Sequence, residues 1–390
     1  MSPASLLKEL IAIPSVNPMG RDVDGPEFLE GRMTSFLEDW FQTLGVPHNT
    51  VEVEPGRCNV VARHVGNPDR PVVMLDAHQD TVPVEGMVIP PFEPTEKDGR
   101  IYGRGSCDVK GGMASMLTAF ARIVREQPTD CGDVIMSCSC DEEHGMNGIL
   151  NLANSWLQEP GEDWLKRRPD MVIIAEPTSL DIVVAHRGVT RWTLHTSGRA
   201  SHSSKPSEGI NAIYHMAEVL KHLKDYADLL EQTEPQHPLC GTPTLSVGRI
   251  GGGISVNVVP DNCSIEIDRR VLPGEDQSTV IDQITNYLRD RVSCEFEMSE
   301  PWCVVGPLSD NCNSTLADNL MKVAESVVGS RNKIGVAYGT NAAATDALEI
   351  PTVVFGPGSI EQAHTKDEWI ETVQLDQAAE ILYGFLANGD

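Results

Sequence analysis

Short apolar runs alternate with helical stretches over the first part of the chain, up to about residue 185. Such runs, almost continuously hydrophobic, are typical of strands buried on both faces of a sheet. The stretch that begins at Gly111 carries an apolar face at helical spacing and predicts a helix, as does the amphipathic start of the chain. The alternation predicts an α/β domain with a mostly parallel central sheet and flanking helices. The apolar runs cover residues 71–77, 133–140 and 170–175.

The pattern changes between about residues 188 and 296, where the order of predicted elements is βαββαβ. This is the order of the ferredoxin-like split unit, so we predict a compact inserted domain. A helix at 316–327 and a strand at 350–355 then resume the first rhythm. We therefore expect a discontinuous first domain, residues 1–186 and 298–390, interrupted by an inserted lid or dimerisation domain at 187–297. Hinges are expected near residues 187 and 297. The elements of the insert are predicted at 190–196, 209–224, 244–250, 262–270 and 278–291, followed by a last strand.

Length and charge narrow the class of protein. A chain of 390 residues exceeds the roughly 250 to 300 residues of a single hydrophobic core, which agrees with at least two domains. With 30 Lys and Arg against 57 Asp and Glu, the net charge of -27 repels polyanions. Nucleic acid and anionic membranes are therefore disfavoured as partners, and a small molecule is expected.

The chain lacks the features of a secreted or membrane protein. Its N-terminus has no basic start followed by a long apolar run, and no segment approaches the roughly 20 apolar residues of a membrane span. The ten cysteines are scattered along the sequence without the spacing of a disulfide framework, which favours reduced thiols. We expect a cytoplasmic protein.

Side chains that bind metals follow the predicted strands. Ligands bind at the carboxyl ends of strands in an open α/β sheet, so residues at these positions converge although they are far apart in sequence. Singly, each such group is more often structural or solvated; together, their common placement favours one site. They are His78 and Asp80 after the first run, Glu142 and Glu143 after the second, Glu176 after the third, Asp108 in a glycine-rich loop before a helix, and His364 after the 350–355 strand.

Five of these residues suffice for two divalent ions, provided that Asp108 bridges and each ion takes one histidine and one further carboxylate. Imidazole and carboxylate ligands without thiolate favour zinc, with cobalt or manganese as substitutes. Paired ions of this kind activate a water and stabilise a developing oxyanion, which predicts hydrolysis. The five predicted ligands are His78, Asp108, Glu143, Glu176 and His364.

Glu142 and Asp80 are left for other roles. Glu142 is free to take a proton from the attacking water and pass it to the leaving amine, as a general base and acid. Asp80 follows His78 closely enough to accept the N–H of the ligand imidazole and fix its tautomer. His144 has no assigned partner, and we interpret it as structural or peripheral.

The sequence around these residues resembles the M20 metallopeptidases, which include acetylornithine deacetylase, succinyl-diaminopimelate desuccinylase, aminoacylase and glutamate carboxypeptidase. The resemblance spans nearly the whole chain, and it implies the fold of the di-zinc peptidases and the same metal and base assignment. The matching stretches are LDAHQDTVP (75–83), YGRGSCDVKGGMASML (102–117), CDEEHGMNG (140–148), IIAEPT (173–178), GRASHSSKPSEGINAI (198–213), SVNVVPD (255–261) and FGPGSIEQAH (355–364).

The resemblance also implies substrate contacts. His202 matches a histidine that helps to hold the scissile carbonyl, often across a dimer, and Asn257 and Arg270 match residues that grip the substrate carbonyl and carboxylate. A guanidinium also pairs with a carboxylate through two parallel hydrogen bonds. We add Thr340 and Asn341 as predicted substrate contacts. We expect a homodimer through the inserted domain, since two-fold dimers are the commonest assemblies.

The predicted reaction is hydrolysis of an amide bond in a small substrate that carries a carboxylate. Residues 356–370 are most similar to the acetylornithine deacetylase branch, which favours deacylation of an N-acyl amino acid. That branch has Thr-Glu where this chain has Gly-Thr-Asn-Ala at 339–342, so a carboxylate suited to an amino-bearing side chain is missing. The alternatives are a dipeptidase or carboxypeptidase of the same family and, more remotely, a non-catalytic amino-acid-binding protein.

Overall fold

The computed structural model describes residues 2–158, 164–233 and 236–388. It divides into two compact units. The first unit runs up to Val184 and resumes over Asp310–Ile334 and from Thr340, and the second comprises Ala185–Ser309 and Gly335–Gly339.

Helices in the described ranges lie mostly in the first unit. They are α1 (Pro3–Ile11), α2 (Gly31–Leu44), α3 (Lys110–Glu126), α4 (Asn147–Ser155), α5 (Ala212–Thr233), α6 (Val280–Arg289), α7 (Ser314–Val328), α8 (Ala342–Asp346) and α9 (Thr372–Asn388).

Strands in the described ranges form an eight-stranded sheet, a five-stranded sheet and two small sheets. They are β1 (His48–Glu54), β2 (Arg57–His64), β3 (Val73–His78), β4 (Thr95–Lys97), β5 (Arg100–Tyr102), β6 (Val134–Ser139), β7 (Met171–Ile174), β8 (Ile182–His186), β9 (Gly188–Ser197), β10 (Ser201–His202), β11 (Thr244–Gly252), β12 (Val258–Val259), β13 (Asn262–Val271), β14 (Phe296–Met298), β15 (Cys303–Val305), β16 (Lys333–Val336), β17 (Thr352–Val354) and β18 (Trp369–Glu371). The two small sheets are β18-β5-β4 and β10-β12.

The large sheet has the strand order β1-β2-β6-β3-β7-β17-β8-β16. Its centre is parallel, because β3 pairs with β6 and β7 in parallel and β17 pairs with β7 in parallel. The three apolar runs form β3, β6 and β7, and every residue of β3 and β6 is buried. Antiparallel pairs flank this centre, so the whole sheet is mixed. The prediction of an α/β fold with a parallel central sheet is confirmed.

Helix α3 is buried along most of its length, and two glycines let its first turn approach the sheet. A Cβ on Gly111 would lie 2.4 Å from the carbonyl oxygen of Ser106, and one on Gly112 would lie 3.0 Å from the Cβ of Ala175. A side chain at Gly111 would displace the loop before the helix, and one at Gly112 would push the helix away from the end of β7. The two glycines therefore bring the loop before α3, which carries Asp108, close to the carboxyl end of the sheet.

The second unit contains β9, α5, β11, β13, α6 and β14 in chain order, and its sheet has the strand order β11-β13-β9-β14. This places the first and third strands of a βαββαβ unit at the centre of the sheet. Trp192 of β9 is fully buried among residues of α5, α6 and β13. The predicted segment 187–297 lies within a larger unit, because β15 also pairs with β9 and the unit continues to Ser309.

Within the described ranges, none of the helices combines the length and hydrophobicity that a membrane span requires.

Candidate metal centre

Parallel pairing brings the predicted ligands to one edge of the large sheet. His78 is the last residue of β3 and lies opposite Ser139, the last residue of β6. Glu142 and Glu143 follow directly in the next turn, and Glu176 comes just after β7. Because these strands run side by side in the same direction, their following residues meet at one edge.

Asp108, the predicted bridging residue, lies between the two histidines. Its Oδ1 is 3.3 Å from Nε2 of His78, and its Oδ2 is 3.2 Å from Nε2 of His364. Each carboxylate oxygen thus faces a different imidazole. This is the arrangement that a carboxylate shared by two metal ions requires.

A second carboxylate stands beside each histidine. Oε1 of Glu176 is 4.0 Å from Nε2 of His78, and Oε2 of Glu143 is 3.3 Å from Nε2 of His364. Potential ligand atoms of His78, Glu142 and Glu176 lie within 4.8 Å of one another, as do those of His78, Asp108 and Glu143. The structure therefore brings all five predicted ligands together. Glu142, the predicted base, also lies in one of these two groups, and His364 lies in neither, so the division of the ligands between two ions stays a prediction.

The chemistry of this cluster fits divalent cations. Oε1 of Glu143 is buried and has no hydrogen-bond partner in the described structure, although an unpaired buried carboxylate oxygen is costly. Several carboxylates enclosed together repel one another, and bound cations compensate that repulsion. Imidazole nitrogen and carboxylate oxygen also match the ligand preference of zinc and similar metals.

The pKa shifts report the same crowding of negative charge. Burial is the largest cause that raises the pKa of Glu142 and of Glu176 well above the ordinary value, and burial with the nearby Asp108 charge raises the pKa of Glu143 to about 7. Burial opposes ionisation of Asp108, but hydrogen bonds from His364 and His78 lower its pKa. Hydrogen bonds to Asp108 and Glu143 raise the pKa of His364 to about 11.

Asp80 contacts both His78 and the loop that carries the predicted base. His78 Nδ1 donates to the backbone carbonyl of Asp80 at 2.9 Å, whereas the nearer carboxylate oxygen is 3.6 Å away. The carboxylate instead accepts the backbone N–H groups of Glu142 and Glu143, each at 3.1 Å. The predicted hydrogen bond from the imidazole to the carboxylate is thus made to the carbonyl of the same residue, and the carboxylate holds the loop that bears Glu142.

A buried charge cluster that the sequence did not reveal supports this loop. Arg57 donates to Glu30 and to Asp141, which directly precedes Glu142. The side-chain amide of Asn17 donates to Asp80 at 2.8 Å and to Asp141 at 3.0 Å. These residues come from separate segments of the chain. The only sequence feature that could have pointed to the charge cluster is that Asp141 directly precedes Glu142 and Glu143.

The predicted substrate contacts lie in different places. In the second unit, His202 and Asn257 are exposed and close together, because His202 pairs with Val258 across the β10–β12 ladder. Arg270 is partly buried and donates to Asp268 through Nε at 2.8 Å. Their roles stay predictions.

Thr340 and Asn341, in the first unit, are buried. The Asn341 side chain donates to Asp76 at 2.9 Å and to Ser139 at 3.0 Å, so its amide group is held within the sheet. His144 is exposed, in keeping with a peripheral role.

Comparisons with known proteins identify relatives over nearly the whole chain. Residues 74–388 match the model of peptidase family M20/M25/M40. An acetylornithine deacetylase of Pectobacterium carotovorum is 32% identical over 387 residues, covering 97% of this chain and 95% of the relative. A solved M20-family metallo-carboxypeptidase of Sulfolobus solfataricus superposes with a TM-score of 0.76 at 20% identity, covering 100% of this chain and 99% of the other. A tripeptidase of Staphylococcus aureus also gives 0.76, at 22% identity and 98% coverage of each chain.

The sheet, the ligand cluster and these matches define the protein as a metal-dependent amidohydrolase. Within that class, the chain belongs to peptidase family M20/M25/M40.

Proposed function

We propose that this protein hydrolyses the acyl-amide bond of an N-acyl amino acid with two divalent metal ions, of which zinc fits the ligands best, held by His78, Asp108, Glu143, Glu176 and His364. The observation that carries the proposal is Asp108, whose two carboxylate oxygens face the two histidines at 3.3 and 3.2 Å. That geometry suits two sets of ligands that share Asp108, one with His78 and Glu176 and the other with His364 and Glu143. Ions held there would acidify a water and stabilise the negative charge that develops on the scissile carbonyl oxygen.

The residues of the chain supply the proton transfers. Glu142 lies beside His78 and Glu176, and burial raises the pKa of its carboxyl group well above the ordinary value. A carboxylate with a raised pKa accepts a proton from the attacking water and afterwards donates it to the leaving amine. The backbone N–H of Glu142 is held by Asp80, so the base stays oriented while its charge changes.

The choice of an N-acyl amino acid rests on the relatives. The Pectobacterium relative is described as an acetylornithine deacetylase, and the match to it covers almost the whole chain. Asn341 offers no carboxylate for a basic side chain, and its amide is engaged with Asp76 and Ser139. We therefore propose an N-acyl amino acid other than acetylornithine as the substrate, with Arg270 as the residue that binds its carboxylate. Dipeptides and peptides with a free C-terminus are the alternative substrates.

The experiment measures amine release from N-acetyl, N-succinyl and dipeptide substrates. Chelated protein is tested alone and after restoration with zinc, cobalt or manganese. Turnover that needs metal and is confined to one substrate class would support the proposal and name the class. Absence of turnover on every substrate, with two ions bound, would contradict it and favour the amino-acid-binding alternative.

Glu142→Gln tests the base. General base catalysis contributes roughly 10² to 10⁴-fold, so we expect kcat to fall by at least about a hundredfold while the protein still binds two ions. Glu325→Gln, on the exposed surface of α7, is the matched control. Activity of Glu142→Gln above about a hundredth of the wild-type value would refute the base assignment.

We also propose that the second unit carries a homodimer interface. Its strand β11 lies at the edge of the sheet, and the side chains of Ile250, Ile254 and Val256 nearby are 60%, 90% and 99% exposed. An unpaired strand edge with exposed apolar residues favours pairing with a second copy. Sedimentation of the wild type and of Ile250→Lys tests the dimer, with Val88→Lys in the first unit as the control. A monomeric wild type contradicts the proposal.

The cytoplasmic location stays a prediction from the sequence.

A further inference from the structure

A fully buried carboxylate lies beneath the metal ligands of the first unit. Glu368 follows His364 in the segment between β17 and β18 and has no exposed surface. Its Oε1 accepts the backbone N–H groups of Cys107 at 2.8 Å and Asp108 at 3.0 Å. Its Oε2 accepts the backbone N–H of Gly105 at 3.0 Å and a guanidinium N–H of Arg104 at 2.7 Å. One carboxylate thus fixes the backbone of the loop that presents Asp108.

Arg104 extends this connection to the other ligand loops. It is almost fully buried and donates through Nη2 to the carbonyl of Pro83 at 3.0 Å and through Nη1 to the carbonyl of Thr365 at 3.4 Å. Thr365 directly follows His364, and Pro83 lies shortly after His78. The Arg104–Glu368 pair therefore joins the three loops that carry both histidines and the bridging aspartate.

An ionised carboxylate has about four acceptor positions and no donor. The Glu368 carboxylate accepts four hydrogen bonds from the protein, and three of them come from backbone N–H groups. A metal ion requires its ligand atoms within a few tenths of an ångström of their ideal distances. The position of Asp108 relative to His364 thus depends on the length and charge of the Glu368 side chain.

We propose that Glu368, together with Arg104, is a positioning residue that holds Asp108 and His364 at the separation needed to bind the second of the two ions. The inference rests on the proposed two-ion function. The ion most affected is the one held by Asp108, Glu143 and His364, because this set contains two ligands from segments fixed by Glu368, whereas the other set shares only Asp108. The ion on the side of His78 and Glu176 keeps ligands that come from β3 and β7.

Glu368→Gln is the informative substitution because it keeps the shape of the side chain. Its amide group replaces one acceptor oxygen by N–H donors, so two of the four protein donors meet a donor instead of an acceptor. Glu368→Asp keeps both oxygens but withdraws them by one methylene group. The control is Glu275→Gln in the second unit, where the carboxylate also accepts from an arginine and from a backbone N–H group.

The experiment titrates chelated proteins with zinc in competition with a chromophoric chelator, alongside thermal unfolding and turnover. We expect the wild type and Glu275→Gln to bind two ions equally well. In Glu368→Gln, one ion binds with unchanged affinity and the other about 10- to 100-fold more weakly, the range for partners that orient metal ligands. Excess zinc should restore turnover, and thermal unfolding of the chelated variant shows separately how far the fold itself is destabilised.

The proposal would be overturned if Glu368→Gln bound both ions with wild-type affinity and only its melting temperature fell, as in Glu275→Gln. Arg104 and Glu368 would then be a structural ion pair without a role in metal binding. Equal weakening of both ions would also overturn the proposal. If Glu368→Gln does not fold, Glu368→Asp is judged by the same criteria. If the wild-type protein binds fewer than two ions, both the proposed function and this inference are overturned. The titration of the wild type alone shows this, so failure of the proposed function is distinguished from failure of the inference.

Discussion

Replacement of Arg57 by methionine should expose the cost of the buried charges behind the base loop. Arg57 is 7% exposed, and its partners Glu30 and Asp141 are 0% and 1% exposed. Methionine is close in length to the stem of arginine, so the main loss is the guanidinium. Removal of one partner from a buried pair leaves an uncompensated charge and typically costs about 3–5 kcal/mol. We expect the free energy of unfolding of Arg57→Met to fall by about that amount at pH 8.

The same variant should depend on pH in a defined direction. Burial already raises the pKa of Glu30, and hydrogen bonding to Arg57 opposes that rise. Without Arg57, the pKa of folded Glu30 rises further above the value in the unfolded chain. A carboxyl group of this kind destabilises the folded state at pH values above its folded pKa, and the penalty disappears as the pH falls towards the unfolded pKa. The stability deficit of Arg57→Met should therefore be smaller at pH 5.5 than at pH 8.

Urea unfolding of chelated wild type and Arg57→Met at both pH values measures these quantities without a contribution from metal binding. Arg63→Met is the matched control. Arg63 contacts Asp133, but Asp133 also keeps Arg167 at 3.0 Å and the N–H of Gly66 at 2.9 Å. A loss below about 1 kcal/mol in Arg57→Met, as for an exposed ion pair, or an equal deficit at both pH values, would refute the reasoning.

Three further substitutions test other parts of the structure. Lys110→Met removes a buried ammonium that donates to the carbonyls of Leu10 and Ile13 at 3.1 and 2.7 Å, and it should lower the free energy of urea unfolding by about 1–3 kcal/mol; an unchanged midpoint would contradict this. His364→Ala should lower the affinity for one of the two ions by about a hundredfold or more in a zinc titration, with the affinity for the other ion unchanged. Two unchanged zinc affinities would exclude His364 as a ligand. Arg270→Lys loses the bidentate geometry, so KM for a carboxylate-bearing substrate should rise about tenfold while kcat changes little; equal KM values would remove Arg270 from substrate binding.

The sequence by itself determined which segments form the centre of the large sheet and which residues lie together in the candidate metal site. Residues 71–77, 133–140 and 170–175 are so uniformly apolar that only strands buried on both faces suit them, and they became β3, β6 and β7. Once these strands are parallel neighbours, His78, Glu143 and Glu176 must lie at one edge. The candidate ligand set could be predicted because the signal is local: a strand, and then a side chain of a metal-binding type at its end.

Contacts between distant segments were decided only by the tertiary structure. The hydrogen bonds from Arg57 to Glu30, from Asp108 to Glu368 and from Asn341 to Asp76 join residues far apart in the chain. Nothing in the local pattern around Glu368 or Asn341 distinguishes a buried carboxylate or amide from an exposed one. Their burial depends on strand order and on the path of the loops, and these are set by packing over the whole unit. Hydrophobic periodicity determines which face of a helix or strand is buried. Only the assembled fold determines which polar groups from distant segments form hydrogen bonds with the residues on that face.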